Sequence, residues 1–374
     1  MAVIAYDEPN KSGTTHGTTH ATHGTTDGTT DGTTNGTTNG TAKAMDRVFV
    51  TGGTGFVGAN MVRLLLAEGY QVRALVRPQS VRHNLQDLPI EIVEGDLQRP
   101  QLVEQMGGCR YCFHLAAHYS LWRRDRQQLY QSNVLGTRHL LQAAQAAGVE
   151  RTVYTSSVAA IGTSGDDRPV DETHQSPPED LIGDYKKSKY WAEQEALKAA
   201  QAGQDVVIVN PTAPIGAWDI KPTPTGDIIL RFLQRRMPAY VNTGLNLIHV
   251  EDVAWGHLLA LQKGKQGDRY ILGHQNLSLK DILDRLAQIT GLPAPTATVP
   301  LALPLGVAWI EETLLAPLFS SWGYQPSVPL DGVRMSAHPM YYTAQKAVQT
   351  LGLPQTPIDQ ALEVAVNWFK QLGR

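Results

Sequence analysis

Short apolar runs with strand-like character alternate with longer stretches of helical period along most of this chain. The strand-like runs are Arg47–Thr51, Gln71–Val76, Ile90–Glu94, Tyr111–Leu115, Arg151–Ser156 and Asp205–Asn210. Between most of them lie amphipathic stretches, among them Val57–Glu68, Gln127–Ala147 and Asp184–Ala202. Repeated strand–helix units predict an α/β fold, a doubly wound parallel sheet covered on both faces. After Pro211 the texture changes to more proline, longer loops and mostly helical segments such as Val250–Lys263, Leu279–Thr290 and Pro357–Gln371. The expected organisation is a nucleotide-binding domain over residues 45–210 and a smaller, mostly helical substrate region over 211–374.

Upstream of the first run the pattern is of another kind. Residues 13–41 are mostly a Gly-Thr-Thr-X repeat with too little apolar content to offset the entropy of ordering, so residues 1–44 are expected to be a disordered Gly/Thr-rich tail. The tail has no apolar h-region and no arginine, unlike a signal or transit peptide. His16, His20 and His23 on such a segment are poor metal ligands, and no metal site is expected. Met45, just before the first strand, reads as the functional start.

Composition narrows the partners. In a chain of 374 residues, a formal charge of −3 gives no electrostatic case for nucleic acid. Two cysteines cannot form a disulfide framework, which fits a cytoplasmic protein. Cys109 and Cys112 have C-x-x-C spacing, but no second pair exists and Cys112 opens an apolar run, so they read as core thiols. No charge-free apolar run is long enough to span a bilayer. The nearest, Val299–Phe319, carries Glu311 and Glu312 and reads as an amphipathic helix packed in the fold, with peripheral lipid contact as the second reading.

The chemistry begins where the first strand ends. Thr51-Gly52-Gly53-Thr54-Gly55-Phe56-Val57-Gly58 places Gly52, Gly55 and Gly58 in a G-x-x-G-x-x-G turn that opens the first helix. Such glycines allow a tight turn and bring backbone N–H groups to a pyrophosphate at the helix N-terminus, the Rossmann mode of dinucleotide binding. Gly52, Gly55, Phe56, Val57 and Gly58 are therefore candidate cofactor contacts. The second strand ends in Val76-Arg77 with no carboxylate, and Arg77 suits a 2′-phosphate, so NADP is favoured over NAD. Asp96, with Leu97, follows the third strand and is placed for the adenine. Further on, Tyr185 and Lys189 stand four residues apart, on one face of a predicted helix. A neighbouring ammonium favours phenolate, which would lower the tyrosine pKa for acid/base work.

Taken in order, Thr51–Gly58, Gly95-Asp96-Leu97, His114-Leu115-Ala116-Ala117, Ser132–Thr137, Tyr154–Ser157 and Tyr185…Lys189 resemble the extended short-chain dehydrogenase/reductase family (NAD-dependent epimerase/dehydratase). The resemblance covers essentially everything from Met45 onward. Asn210-Pro211-Thr212, Asp219–Gly226, Thr243–Val250 and Leu330–Met335 are similar to the hopanoid-associated sugar epimerase group, and more loosely to dihydroflavonol 4-reductases. The resemblance implies a catalytic set of Ser157, Tyr185, Lys189 and Asn133, with Ala116, Ala117, Pro211 and Thr212 lining the cofactor together with Tyr185 and Lys189. Asn133 also reads as a helix-bending residue bonded locally. A homodimer through Gln127–Ala147 and Asp184–Ala202 is implied as well.

The implied activity is hydride transfer at a secondary alcohol or carbonyl of a small sugar or lipid-linked substrate, by an epimerase or an NADPH-dependent reductase. A non-catalytic dinucleotide sensor or scaffold is the alternative from another class. One departure bears on substrate. Leu245 stands where the family's nucleotide-sugar epimerases carry an arginine clamping a pyrophosphate, with Arg334, Arg235 and Arg236 as possible substitutes.

Overall fold

The computed structural model describes residues 46–316 and 329–373; the Gly/Thr repeat, with its expected disorder and its histidines, lies outside the described residues. From the N-terminus come β1 (Arg47–Thr51), α1 (Phe56–Ala67), β2 (Gln71–Val76), β3 (Glu91–Glu94), α2 (Leu102–Met106) and β4 (Tyr111–His114). A bent helix follows, made of α3 (Arg126–Leu129), a π-helical turn over Tyr130–Leu135 and α4 (Gly136–Ala146). Next come β5 (Arg151–Thr155), α5 (Gly183–Gln201), β6 (Val206–Pro211), β7 (Ala213–Ile215), α6 (Pro224–Leu233), β8 (Ala239–Tyr240) and β9 (Gly244–His249). Then follow α7 (Val250–Lys263), β10 (Arg269–Leu272), β11 (Gln275–Ser278), α8 (Leu279–Thr290), β12 (Ala297–Thr298) and α9 (Ala302–Ile310). Two unlabelled helices, Leu330–Met335 and Ile358–Gln371, close the described chain.

Seven strands form one all-parallel sheet in the order β10-β6-β5-β4-β1-β2-β3. This is the expected doubly wound α/β architecture. The winding reverses between β1 and β4, and ligands bind at such a switch point, outside the carboxyl ends of the strands. Because both faces are covered, apolar runs in the inner strands are buried on both sides, as Val48-Phe49-Val50 and Val206–Val209 show with no exposure. One core lies between the sheet and α1 with α7; the other lies between the sheet and α2, α4 and α5. A third joins α6, α8 and the helix Ile358–Gln371 over the three-stranded sheet β11-β9-β7.

Three details differ from the sequence reading. The chain crosses the boundary expected at 210/211: β10 pairs with β6, and Val253, Leu258 and Ile271 join the first core. The continuous helix expected over Gln127–Ala147 is broken by the π turn, where Asn133 spends its side chain on neighbouring segments rather than on solvent. The described part of the Val299–Phe319 stretch, which ends at Ala316, contains α9 followed by a π turn over Glu311–Leu315, and its large apolar side chains are mostly exposed. Ala308, packed with Leu330 and Val333, and Ala316 are buried, while Leu303, Val307, Trp309, Ile310 and Leu314 are exposed. Among the described residues no helix is long and apolar enough to cross a membrane.

Candidate active site

The glycine turn shows why its residues have no side chains. Gly52 has φ +75°, and a Cβ there would lie 2.6 Å from the backbone nitrogen of Ala116. A Cβ on Gly58 would lie 2.0 Å from the carbonyl oxygen of Gly52, so that turn closes only with glycine. Gly55 caps α1 with no side-chain hydrogen bond and no acid in the first turn, while its own N–H donates to the Gly52 carbonyl at 3.0 Å. The first N–H groups of α1 are thus left without side-chain partners at the positive end of the helix, an arrangement that fits a dinucleotide pyrophosphate.

Neighbouring strand ends complete the edge. Ala116 donates its N–H to Thr51 Oγ1 at 3.2 Å, holding the loop after β4 against β1, and Ala117 beside it is exposed. Arg77 stands exposed just past β2, and Asp96 past β3 accepts from the Gln98 N–H at 3.0 Å, with Leu97 half-buried beside it. Pro211 ends β6, and Thr212 donates its N–H to the Leu272 carbonyl at 3.0 Å.

Ser157 follows β5 and caps a short helical turn, its Oγ accepting from Ala159 N–H at 3.1 Å. Tyr185 rises from the first turn of α5. Burial pushes its phenol up to about 12, and a hydrogen bond with the Ser157 side chain pulls the other way. Lys189, one turn on and 3% exposed, donates to the Thr155 carbonyl at 2.9 Å and to the Tyr154 hydroxyl at 3.4 Å. Burial lowers its ammonium to about 8, with Glu193 opposing. The expectation that Lys189 makes the phenol more acidic is therefore not met here. Desolvation dominates Tyr185, and the ammonium is turned to the β5 end rather than to the phenol.

Asn133 is buried, and both ends of its amide are in use. Its Oδ1 accepts from the His118 N–H at 2.7 Å, and its Nδ2 donates to the His118 carbonyl and to Ser188 Oγ, each at 2.9 Å. It fastens the loop after β4 to α5, so its bonds reach across segments rather than locally within its own helix. Cys109 and Cys112 are buried free thiols, their pKa values raised by desolvation, and no metal-holding group of side chains occurs among the described residues.

Two features had no sequence signal. Tyr119 packs edge-on against Tyr185 with ring centroids 4.7 Å apart. Asn210 Nδ2 donates to the Ser157 carbonyl at 3.0 Å and to Glu193 at 2.7 Å, and Glu193 is paired with Arg269 at 2.9 Å, so a buried polar chain holds the serine's backbone. Only a spacing across strands could have pointed to them. Two arginines are largely neutralised: Arg123 lies 3.6 Å from Glu312 and 3.8 Å from Asp331, and Arg334 lies 3.4 Å from Asp331. Arg235 and Arg236 are exposed beyond α6, and Leu245 is half-buried in β9.

Comparison with known proteins gives consistent relatives. The family described as "NAD dependent epimerase/dehydratase family" matches residues 48–273. A Synechocystis sp. protein named "Putative dihydroflavonol 4-reductase" is 68% identical over 88% of this chain and 96% of its own length. "Sterol demethylase protein B" of Methylococcus capsulatus is 36% identical over 87% of this chain and 98% of its own. The crystal structure of gox2253 superposes with a TM-score of 0.78 at 43% identity, covering 88% of this chain and 99% of that one.

Proposed function

The chain belongs to the NAD dependent epimerase/dehydratase family and is an NAD(P)-dependent oxidoreductase or epimerase, and from that premise we propose that it reduces a ketone on an apolar, non-nucleotide substrate with NADPH. The observation that carries this reading is the set Ser157, Tyr185 and Lys189 at the end of β5, on the same carboxyl edge of the sheet as the glycine turn after β1.

The α1 N-terminus would hold the pyrophosphate, Arg77 the 2′-phosphate, and Ala116, Ala117, Pro211 and Thr212 the nicotinamide half. Bound there, the nicotinamide supplies the hydride. The Ser157 hydroxyl would donate to the substrate oxygen and orient it. A phenol held near 12 is protonated at neutral pH, so Tyr185 is set to give its proton to the oxygen as negative charge develops. Lys189 would keep positive charge beneath the site and bond the nicotinamide ribose. Asn133 acts through the His118 loop and Ser188, as a positioning residue.

Substrate class rests on charge and on names. Leu245 supplies no clamp for a diphosphate, and Arg334 is already paired with Asp331. The names of two relatives refer to a polyphenol and to a sterol, both ring systems without phosphate. A sugar-alcohol epimerisation using a retained NAD⁺ is the second reading, favoured by the family description itself. Exposed Tyr130 and Trp191, on the two helical segments expected to pair, are the apolar surface a homodimer would bury.

Tyr185→Phe tests the reading. Proton transfer by a positioned side chain is worth about 10²–10⁴-fold, so ketone reduction should fall by that order while dinucleotide affinity stays within about threefold. Undiminished turnover would remove Tyr185 from its role. Micromolar binding of UDP or a UDP-hexose would refute the substrate class, and NAD⁺ recovered tightly bound from fresh protein would favour the epimerase.

A further inference from the structure

The segment after β7 is fastened across the glycine turn. Asn60 in α1 donates to the Ala217 carbonyl at 3.1 Å. Asn84, 4% exposed, donates to the Thr54 carbonyl inside the turn at 3.0 Å and to the Trp218 carbonyl at 3.2 Å, joining the two loops through one amide. The Arg63 guanidinium lies 3.4 Å from the centroid of the Trp218 ring and also donates to the Asn84 carbonyl at 2.9 Å. The backbone accepts strain to make this crossing: Gly216 has φ +151° and Trp218, a bulky residue, φ +75°.

Beyond the crossing the chain is locked again. Asp219, 2% exposed, accepts from the Thr223 N–H at 2.9–3.0 Å and from its hydroxyl at 2.8 Å, closing a loop with Lys221 near its apex. Lys221 is exposed, and its ammonium makes no hydrogen bond or ion pair among the described residues. Arg77, just past the end of β2, is likewise exposed, and its guanidinium makes no hydrogen bond or ion pair among the described residues. Both cations act on His118, lowering its pKa in addition to the larger effect of burial. The His118 backbone is fixed by Asn133, and its Nε2 is buried without a hydrogen bond, 4.0 Å from Asp125. Lys221 and Arg77 thus both lie within electrostatic reach of the His118 loop, and neither side chain has an anionic partner among the described residues. An anion bound within reach of both would be held by two positive charges.

We infer that residues 216–223 are a strap over the dinucleotide site and that Lys221 bonds a phosphate of the bound cofactor from the side opposite the helix N-terminus. The inference rests on the dinucleotide reading above and extends it. A phosphate held by the α1 N–H groups below and an ammonium above would dissociate slowly, because the strap is anchored to the turn through Asn84. The pyrophosphate and the 2′-phosphate share this chemistry.

The experiment is equilibrium and stopped-flow binding of NADPH and NADH to the full chain at low and high salt. The variants are Lys221→Ala, Lys221→Arg and Arg77→Ala, with Lys370→Ala as a distant charge control. A charge-assisted hydrogen bond is worth about tenfold or more in affinity. Lys221→Ala is expected to raise Kd and the release rate by that factor at low salt, with less effect at high salt, and Lys221→Arg to recover most of it. Equal loss for both cofactors assigns Lys221 to the pyrophosphate; loss for NADPH alone, as for Arg77→Ala, assigns it to the 2′-phosphate. Unchanged binding of both cofactors, or a loss matched by Lys370→Ala, overturns the inference while leaving the dinucleotide site standing. Wild-type protein that binds neither cofactor overturns the site itself.

Discussion

Burial pushes two histidines, His114 on β4 and His257 on α7, well below their ordinary value: His114 to about 3 and His257 to about 4. Each is neutral and bonded in the fold. The His114 ring nitrogens lie 2.8 Å from Thr51 Oγ1 and 3.0 Å from Thr137 Oγ1, and His257 lies 2.8 Å from Thr155 Oγ1, whose carbonyl receives Lys189. An unfolded histidine titrates near 6.5, so below that pH the unfolded chain binds protons that the folded one refuses. The stabilisation from these depressed values is complete above about 6.5 and is lost progressively as pH falls toward 4. Urea midpoints should be flat near pH 7–8 and fall below pH 6. The double variant His114→Asn, His257→Gln should be less stable but shallower in slope; an unchanged slope would place the acid sensitivity elsewhere. Neither effect follows from residue type alone, since an exposed histidine would show no such dependence.

The glycine turn was legible because its requirement is local. A reversal within eight residues that brings the α1 N-terminus to β1 excludes Cβ atoms wherever backbone meets backbone, and glycine is the only way to write that. Gly58→Ala puts a methyl 2.0 Å from the Gly52 carbonyl and must move the turn. Overpacking of this kind costs about 1–3 kcal/mol, and dinucleotide Kd should rise at least about tenfold. Gly69, φ +81° with open space around its Cβ position, is the contrast: Gly69→Ala should cost about 1 kcal/mol of stability and leave affinity unchanged. Equal affinity loss in both variants would mean that the turn does not hold the cofactor. The bent helix before β5 was not legible in the same way. Helical period runs through Gln127–Ala147 without a break, and the π turn arises from Asn133 reaching His118 and Ser188 on other segments.

The sheet is completed late in the chain. β10 lies 58 residues past the end of β6, counting from Pro211 to Arg269, yet it supplies the edge strand, and α7 packs beside α1 on the same face. A fragment covering residues 45–210 would leave β6 as an open edge and uncover Val207 and Val209. It should lack a cooperative thermal transition and should aggregate, whereas the full chain should melt cooperatively; a fragment that melts sharply and binds NADPH would show that the first half folds alone. The composition shift at Pro211 marks where loops lengthen, and it carries no information about which sheet the following strands will join.

Strand and helix positions, the turn that excludes side chains and the Tyr185–Lys189 face all follow from periods of two, from i,i+4 spacing and from steric limits within a few residues. These are local constraints, and local sequence writes them. The edge-on contact of Tyr119 with Tyr185, the Asn210–Glu193–Arg269 chain behind Ser157, and the joining of Thr54 to Trp218 by Asn84 depend on direct contacts between residues up to 134 positions apart. Desolvation belongs with them. It raises the Tyr185 phenol and lowers the Lys189 ammonium, and it exists only once the chain has closed around both.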